Sequence, residues 1–425
     1  MKNNERFAIV GIFLLAAFSF KILKEDDWGF FAHKRINRLA ITTLPQDLTV
    51  FYKKNIEFIT EHATDPDKRR YAVAPEGPRH FIDMDHWGKP PFPDLPRKFV
   101  DAMSLHAEMY VVDNQDDTIK LYSKENVTFQ GKNNIIIKSK GVKKVFKMDS
   151  LTLSIFEYRR FFLNNVMDKF YADQALEVKP DSFAFFLKKQ GLSLPFCKNV
   201  FVKDKFSEFG IVPYHLQTMQ NRLTKAFKER DIYKVLRLSA EIGHYIGDAH
   251  VPLHTTENYN GQLTNQAGIH GFWESRLPEL FADAEYDFFV GKAVYIDNFE
   301  SAVWNTVLAS HACLDSVFGI EKNLTLTFPR DQQLCFDERL GVTVKTQCRD
   351  FSRAYHTRLQ GQVEDRMRAA ILMVGSAWVT AWVDAGQPDM RNFGVYEETE
   401  ADKKTNAELN NAAQNQTFKG REHEH

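Results

Sequence analysis

Two pairs of metal-capable side chains at four-residue spacing constrain this chain more than any other feature: His244 with Asp248, and His270 with Glu274. On a helix, positions four apart share a face, so each pair projects an imidazole and a carboxylate toward a common point. His254 lies between them, after a Val251-Pro252-Leu253 that should stop the first helix and turn the chain back. Imidazole nitrogens and carboxylate oxygens are donors that Zn²⁺ takes, and a set without thiolates suits a site that keeps positions open for water and substrate. The spacing predicts a metallohydrolase. The competing reading is a group of core histidines held by hydrogen bonds, with Asp248 and Glu274 as capping or salt-bridge partners. That reading is awkward, because buried carboxylates are costly without a strong partner.

The order His-x-x-x-Asp, His, His-x-x-x-Glu resembles the trinuclear site of a known family, the zinc-dependent phospholipase C enzymes together with the fungal single-strand-specific nucleases. Upstream residues extend the resemblance: Trp28 and His33 in Trp-Gly-Phe-Phe-Ala-His, Asp65 in His-Ala-Thr-Asp-Pro-Asp-Lys-Arg-Arg, and His80 in Pro-Arg-His-Phe-Ile-Asp. It runs from Trp28 to about residue 280, apart from a region near 110–205. The resemblance implies an all-α fold, a multi-helix bundle around up to three Zn²⁺ ions. It implies that Asp65, His80, His244 and Asp248 hold the first ion and His254, His270 and Glu274 the second. Trp28 and His33 would hold the third, with Asp248 bridging. The implied chemistry is hydrolysis of a phosphodiester by water that zinc has acidified to a pKa of about 7. Asp65 would also orient the attacking water. Lys68, Arg69 and Arg70 follow it and are expected either to neutralise a phosphate or to form a solvated basic turn.

The substrate motifs divide. Glu274 as the last ligand, the short stretch from His254 to His270 and the wording His-Tyr-Ile-Gly-Asp look like the phospholipase. His80-Phe81-Ile82-Asp83 looks like the nuclease, in which the Phe stacks on a base and the Asp bonds its edge; Phe81 as plain core is the alternative. The segment after His254, Thr-Thr-Glu-Asn-Tyr-Asn-Gly, replaces the glycine-rich nuclease segment. A phospholipase C-like phosphodiesterase is therefore the leading expectation, with a single-strand-specific nuclease or nucleotidase second. Two non-enzymatic readings stand beside these: an exported zinc-containing binding protein, and a structural helical protein whose His and carboxylate groups satisfy one another. The expected partner is a phospholipid or single-stranded nucleic acid, with transient membrane-surface contact and no stable protein partner.

Residues 1–27 read as a signal peptide. Lys2 and Arg6 precede fourteen uncharged residues, Phe7 to Phe20, too short for a membrane span, and Ala17-Phe-Ser19 supplies small residues for cleavage. The expectation is export, periplasmic or secreted. Cleavage after Ser19 would leave Trp28 internal and deny the third zinc an α-amino ligand. Four cysteines allow three pairings, of which Cys335 with Cys348 is the expected one. A net charge of −1 argues against a bulk electrostatic grip on nucleic acid.

Helical periodicity marks 33–44, 51–62, 213–230, 231–250 and 360–385. Between 111 and 150, Val127-Thr-Phe, Ile135-Ile-Ile and Val145-Phe favour strands, separated by Gly131 and Gly141 turns. They suggest a small β-hairpin insertion within a catalytic domain spanning 28–396. Eight lysines between 118 and 148 make it a lid facing phosphate or, more simply, a solvated hairpin. The polar stretch 397–425 has too little apolar surface to offset ordering entropy and is expected to be disordered.

Overall fold

Every residue from Ser239 to His250 is buried, although this stretch contains Glu241, His244, Asp248 and His250. A helix buried all round is a central one. Ile232–His250 is that helix in the computed structural model, which describes residues 30–167, 176–195, 197–339 and 342–415. Asp231 caps its start by accepting the Lys234 amide at 3.1 Å. Phe30–Ala40, Val212–Glu229, Phe299–His311 and Gln362–Asp384 all contact it. The Gln362–Asp384 helix is tied to the centre by Trp378, whose indole donates to the Ser239 carbonyl at 3.1 Å. The same ring stacks on Tyr52 at 4.6 Å, and the Tyr52 hydroxyl reaches the Ser239 hydroxyl at 2.7 Å. Burying such a ring stabilises by roughly 1.5–3 kcal/mol, and here both polar tips are also satisfied.

The expectation of an all-α fold is corrected. The described residues are 61% helix and 11% strand, with three small sheets among them, so the class is mixed and helix-rich. Two sheets lie in the stretch expected to hold one hairpin. Thr118–Tyr122, Glu108–Val112, Asn199–Lys203 and Leu176–Val178 form an antiparallel four-stranded sheet in that order. Val127–Gln130, Asn134–Ile137 and Leu151–Ser154 form an antiparallel three-stranded one. Helices Ile155–Asn165 and Pro180–Lys189 pack through Phe161, which stacks on Phe186 at 4.9 Å and lies 5.6 Å from Phe183. Residues 108–203 thus carry their own strands and helices, and their apolar side chains run on into one core with the helical body. A third sheet, Leu334–Arg339 with Val342–Gln347, was not expected, and the Cys335–Cys348 disulfide closes it in the anticipated pairing. Cys197 and Cys313 are free.

Glu400–Asn415 is helical where disorder was expected. It packs against the Asp65–Arg70 helix, and Asp402 accepts from the Tyr396 hydroxyl and from Thr399. The signal-peptide stretch and Trp28 lie outside the described residues. No helix among the described residues is long and apolar enough to cross a membrane.

Candidate metal centre

The central helix presents His244 and Asp248 one turn apart on the face it turns toward Phe30–Ala40. Two glycines on that helix, Gly243 and Gly247, let the neighbour come close. A Cβ at Gly243 would sit 1.9 Å from Asn37 Oδ1, and one at Gly247 would sit 2.8 Å from His33 Nδ1. Asn37 uses this closeness to donate to the Ala240 carbonyl at 2.9 Å. His33, one turn earlier, stacks over His244 with centroids 3.9 Å apart.

After His250 the chain leaves the helix through an extended Val251 and a short 3-10 turn, Pro252–Thr255, that delivers His254. His254 is clamped to the His80 segment from both sides: its Nδ1 donates to the His80 carbonyl at 2.7 Å, and Ile82 donates to the His254 carbonyl at 2.9 Å. His270 and Glu274 occupy a short helical turn running into a π-helical one, Phe272–Arg276. Such π turns recur at functional sites because they re-aim side chains.

These side chains converge. Asp248 is the hub: Oδ2 lies 2.9 Å from His80 Nδ1 and 3.3 Å from His244 Nε2, and Oδ1 lies 3.4 Å from His33 Nε2 and 3.8 Å from His254 Nε2. Glu274 lies 2.6 Å from His270 Nε2, 3.5 Å from His254 Nε2 and 3.6 Å from His33 Nε2. Among the described residues, three buried groups could hold a metal ion: His33, His244 and Asp248; Asp67, His80 and His244; and His254, His270 and Glu274.

The tautomers are set from behind. His244 donates Nδ1 to the Ala63 carbonyl at 2.9 Å, His254 to that of His80, and His270 to that of Tyr259 at 3.0 Å. Each therefore turns an Nε2 lone pair toward the carboxylates, which is how metal-binding histidines are commonly held. No Lys or Arg among the described residues lies within ion-pair distance of Asp248 or Glu274; their charged neighbours are imidazoles. Burial opposes ionisation of Asp248, but His244 and His254 outweigh it and hold the carboxyl well below its ordinary range. Burial likewise works against Glu274, and His254, His270 and His33 keep it ionised. Burial would lower the His244 pKa, yet Asp248 and Asp67 raise it to about 9. The donor set fits a divalent metal.

Asp65 stands outside this constellation. Its carboxylate receives His62 Nδ1 at 2.6 Å, with Lys68 at 3.6 Å and Arg237 at 3.9 Å. Asp67 approaches the cluster instead, 3.7 Å from His244 Nε2 and 3.9 Å from His80 Nδ1. Both lie buried in the Asp65–Arg70 helix, but two positions differ by about 200° of rotation, so only Asp67 faces His80 and His244. The Asp-Pro-Asp wording held both candidates but not the helix phase that separates them.

Arg69, expected at phosphate, is engaged elsewhere: it meets Glu241 at 2.5 Å, Glu76 at 3.3 Å and the Tyr245 hydroxyl at 3.2 Å. Glu76, fully buried, also receives Arg79 at 2.5 Å and the Tyr245 hydroxyl, and its carboxyl falls to about 2 because the guanidiniums outweigh burial. Lys68 remains partly exposed beside Asp65. Phe81 and Asp83 are both buried, so neither faces solvent as a base pocket would need. The segment holding them is pinned, with Val212 donating to the Phe81 carbonyl at 3.1 Å and Asp83 to that of Phe209 at 2.8 Å.

No family model, curated protein or solved structure matches this chain.

Proposed function

We propose that this protein is an exported zinc-dependent phosphodiesterase whose ligands are His33, Asp67, His80, His244, Asp248, His254, His270 and Glu274. The observation that carries the reading is the hub position of Asp248, whose two oxygens face separate groups of imidazoles. A carboxylate placed so is suited to bridging two cations, an arrangement that serves displacement at phosphorus. The motif order, which resembles the phospholipase C and nuclease family, supports the same reaction class. Zinc, when bound, would supply Lewis acidity to water and to a phosphoryl oxygen at neutral pH.

The protein's own residues would then bind and orient. Asp248 and Glu274 hold the negative charge that retains the cations, and His244, His254 and His270 offer Nε2 with their tautomers fixed by carbonyls. Between the two substrate classes, burial of Phe81 and Asp83 favours a phospholipase C-like substrate over a nucleobase.

Metal analysis of the processed protein, with parallel assays on phosphatidylcholine and single-stranded DNA, tests this. Two or three zinc ions per chain and chelator-sensitive lipid hydrolysis are expected. Chelator-sensitive cleavage of DNA alone would transfer the assignment to a nuclease. A zinc-loaded chain that turns over neither would leave a binding protein, and a chain that takes up no zinc would return the cluster to a structural role.

A further inference from the structure

His80 sits in the cluster the other way round from His244, His254 and His270. Those three face the carboxylates through Nε2 and donate Nδ1 to backbone carbonyls. His80 presents Nδ1 instead, 2.9 Å from Asp248 Oδ2 and 3.1 Å from His244 Nε2. A neutral imidazole that offers one nitrogen to a cation carries its proton on the other. For His80 the other nitrogen is Nε2, which is buried and meets no hydrogen-bond partner among the described residues. Buried polar atoms without partners are uncommon in folded proteins, so this one calls for a reason.

Glu76 stands behind it. It precedes His80 by four residues in the 3-10 turn Ala74–His80, and its Oε1 lies 3.9 Å from His80 Nε2. No other carboxylate among the described residues comes within ion-pair distance of that nitrogen. The two Glu76 oxygens divide their partners. Oε2 takes Arg69 at 3.3 Å and Arg79 at 2.5 Å, whereas Oε1 takes the Tyr245 hydroxyl and is the oxygen turned to His80. Tyr245 in turn receives Arg69 at 3.2 Å and lies edge-on to the His80 ring at 5.4 Å. Neutralising two guanidiniums needs no oxygen aimed at an imidazole, and Arg69 already has Glu241 as a second carboxylate. We propose, on the reading of the cluster as a metal centre, that Glu76 is the positioning residue for His80: its Oε1 takes the Nε2–H and fixes the ring with Nδ1 toward the ion. The separation is about 1 Å beyond hydrogen-bond length, within reach of a small rotation of the imidazole. A carboxylate in this place fixes the tautomer and strengthens the ligand, and losing it costs about 10–100-fold in metal affinity.

Zinc titration of the chelator-treated full chain against a chromogenic chelator, joined to NMR of protein labelled with 15N-histidine, tests it. Glu76→Gln should weaken one zinc step by at least about tenfold. In the zinc-loaded chain it should also move the His80 Nε2–H signal upfield and leave the Nδ1–H signals of His244, His254 and His270 in place. Glu76→Asp keeps a charge for both arginines but draws it back from His80, so the same two changes are expected. Glu241→Gln, which also removes a partner of Arg69, should produce neither. A Glu76→Asp chain with wild-type affinity and an unmoved His80 signal would overturn the proposal, as would an equal loss in Glu241→Gln. A wild-type chain that takes up no zinc would overturn the metal reading together with it, so the two failures are told apart.

Discussion

Asp65 and Asp67 differ by two positions and about half a helical turn, and that difference assigns one to His62 and the other to His80 and His244. Asp67→Asn keeps the volume and removes the charge. It should weaken metal uptake at this end of the cluster by at least about 100-fold, whereas Asp65→Asn should cost about tenfold or less. Zinc titration of the two variants against a chromogenic chelator reads the contrast, and equal losses would contradict the placement. Gly247 offers a second handle. A methyl there meets His33 Nδ1 at 2.8 Å, so Gly247→Ala must displace the His33 ring or spread two helices. One zinc fewer per chain is expected, with helical content unchanged; full zinc content would show that the ring is free to move. The spacing in sequence was enough to single out His244, Asp248, His270 and Glu274, with His254 between them, because i,i+4 pairs declare their common face; His33 and His80 came only from the resemblance. The resemblance pointed to Asp65 and passed over Asp67, and nothing local could reveal Asn37 and the two glycines, whose roles exist only where helices distant in sequence touch.

Elements repeat that division between local and distant information. Helices on 213–230, 231–250 and 360–385 were legible to within a few residues, since periodicity and flanking Pro or Gly are local signals. The sheets were legible only in fragments. Glu108–Val112 pairs with Asn199–Lys203 across nearly ninety residues, and no local pattern announces a partner so far away. Glu400–Asn415 gains order from contact with Asp65–Arg70, a tertiary effect that composition could not express. The joint where the inserted segment meets the helical body carries a testable titration. His106 ends helix Phe99–His106 and packs against Trp87 at 4.8 Å and Phe206 at 5.5 Å. Burial, aided by Lys124 and His86, lowers its pKa to about 3, against about 6.5 in an unfolded chain. The unfolded state then binds more protons than the folded one over that interval, so stability is full above pH 6.5 and falls as the pH drops toward 3. Urea midpoints from pH 7 to 4 should decline less steeply in His106→Gln than in the wild type, and parallel slopes would remove His106 as the cause.

For the whole molecule, the cluster is a concentration of buried charge that the fold tolerates and a cation would relieve. Asp67, Asp248 and Glu274 are all buried, and among the described residues the last two have only imidazoles as charged neighbours. An ion that binds the folded chain and not the unfolded one stabilises it by about 4 kcal/mol at a thousandfold excess over its dissociation constant. In a chain of this length that corresponds to a rise of roughly 5 °C in melting temperature for each site filled. Zinc added to chelator-treated protein should therefore raise the transition in steps, and an unmoved transition would sink the metal reading independently of any assay for activity. The hub makes the sharper claim. Asp248 faces His33, His80, His244 and His254, so Asp248→Asn should cost more than one zinc and most of the thermal gain. Glu274 faces His33, His254 and His270, so Glu274→Gln should cost a single ion and leave the remaining step in place. If the two variants lose equal amounts of zinc and equal thermal shifts, Asp248 is not shared between sites, and the cluster binds its ions independently.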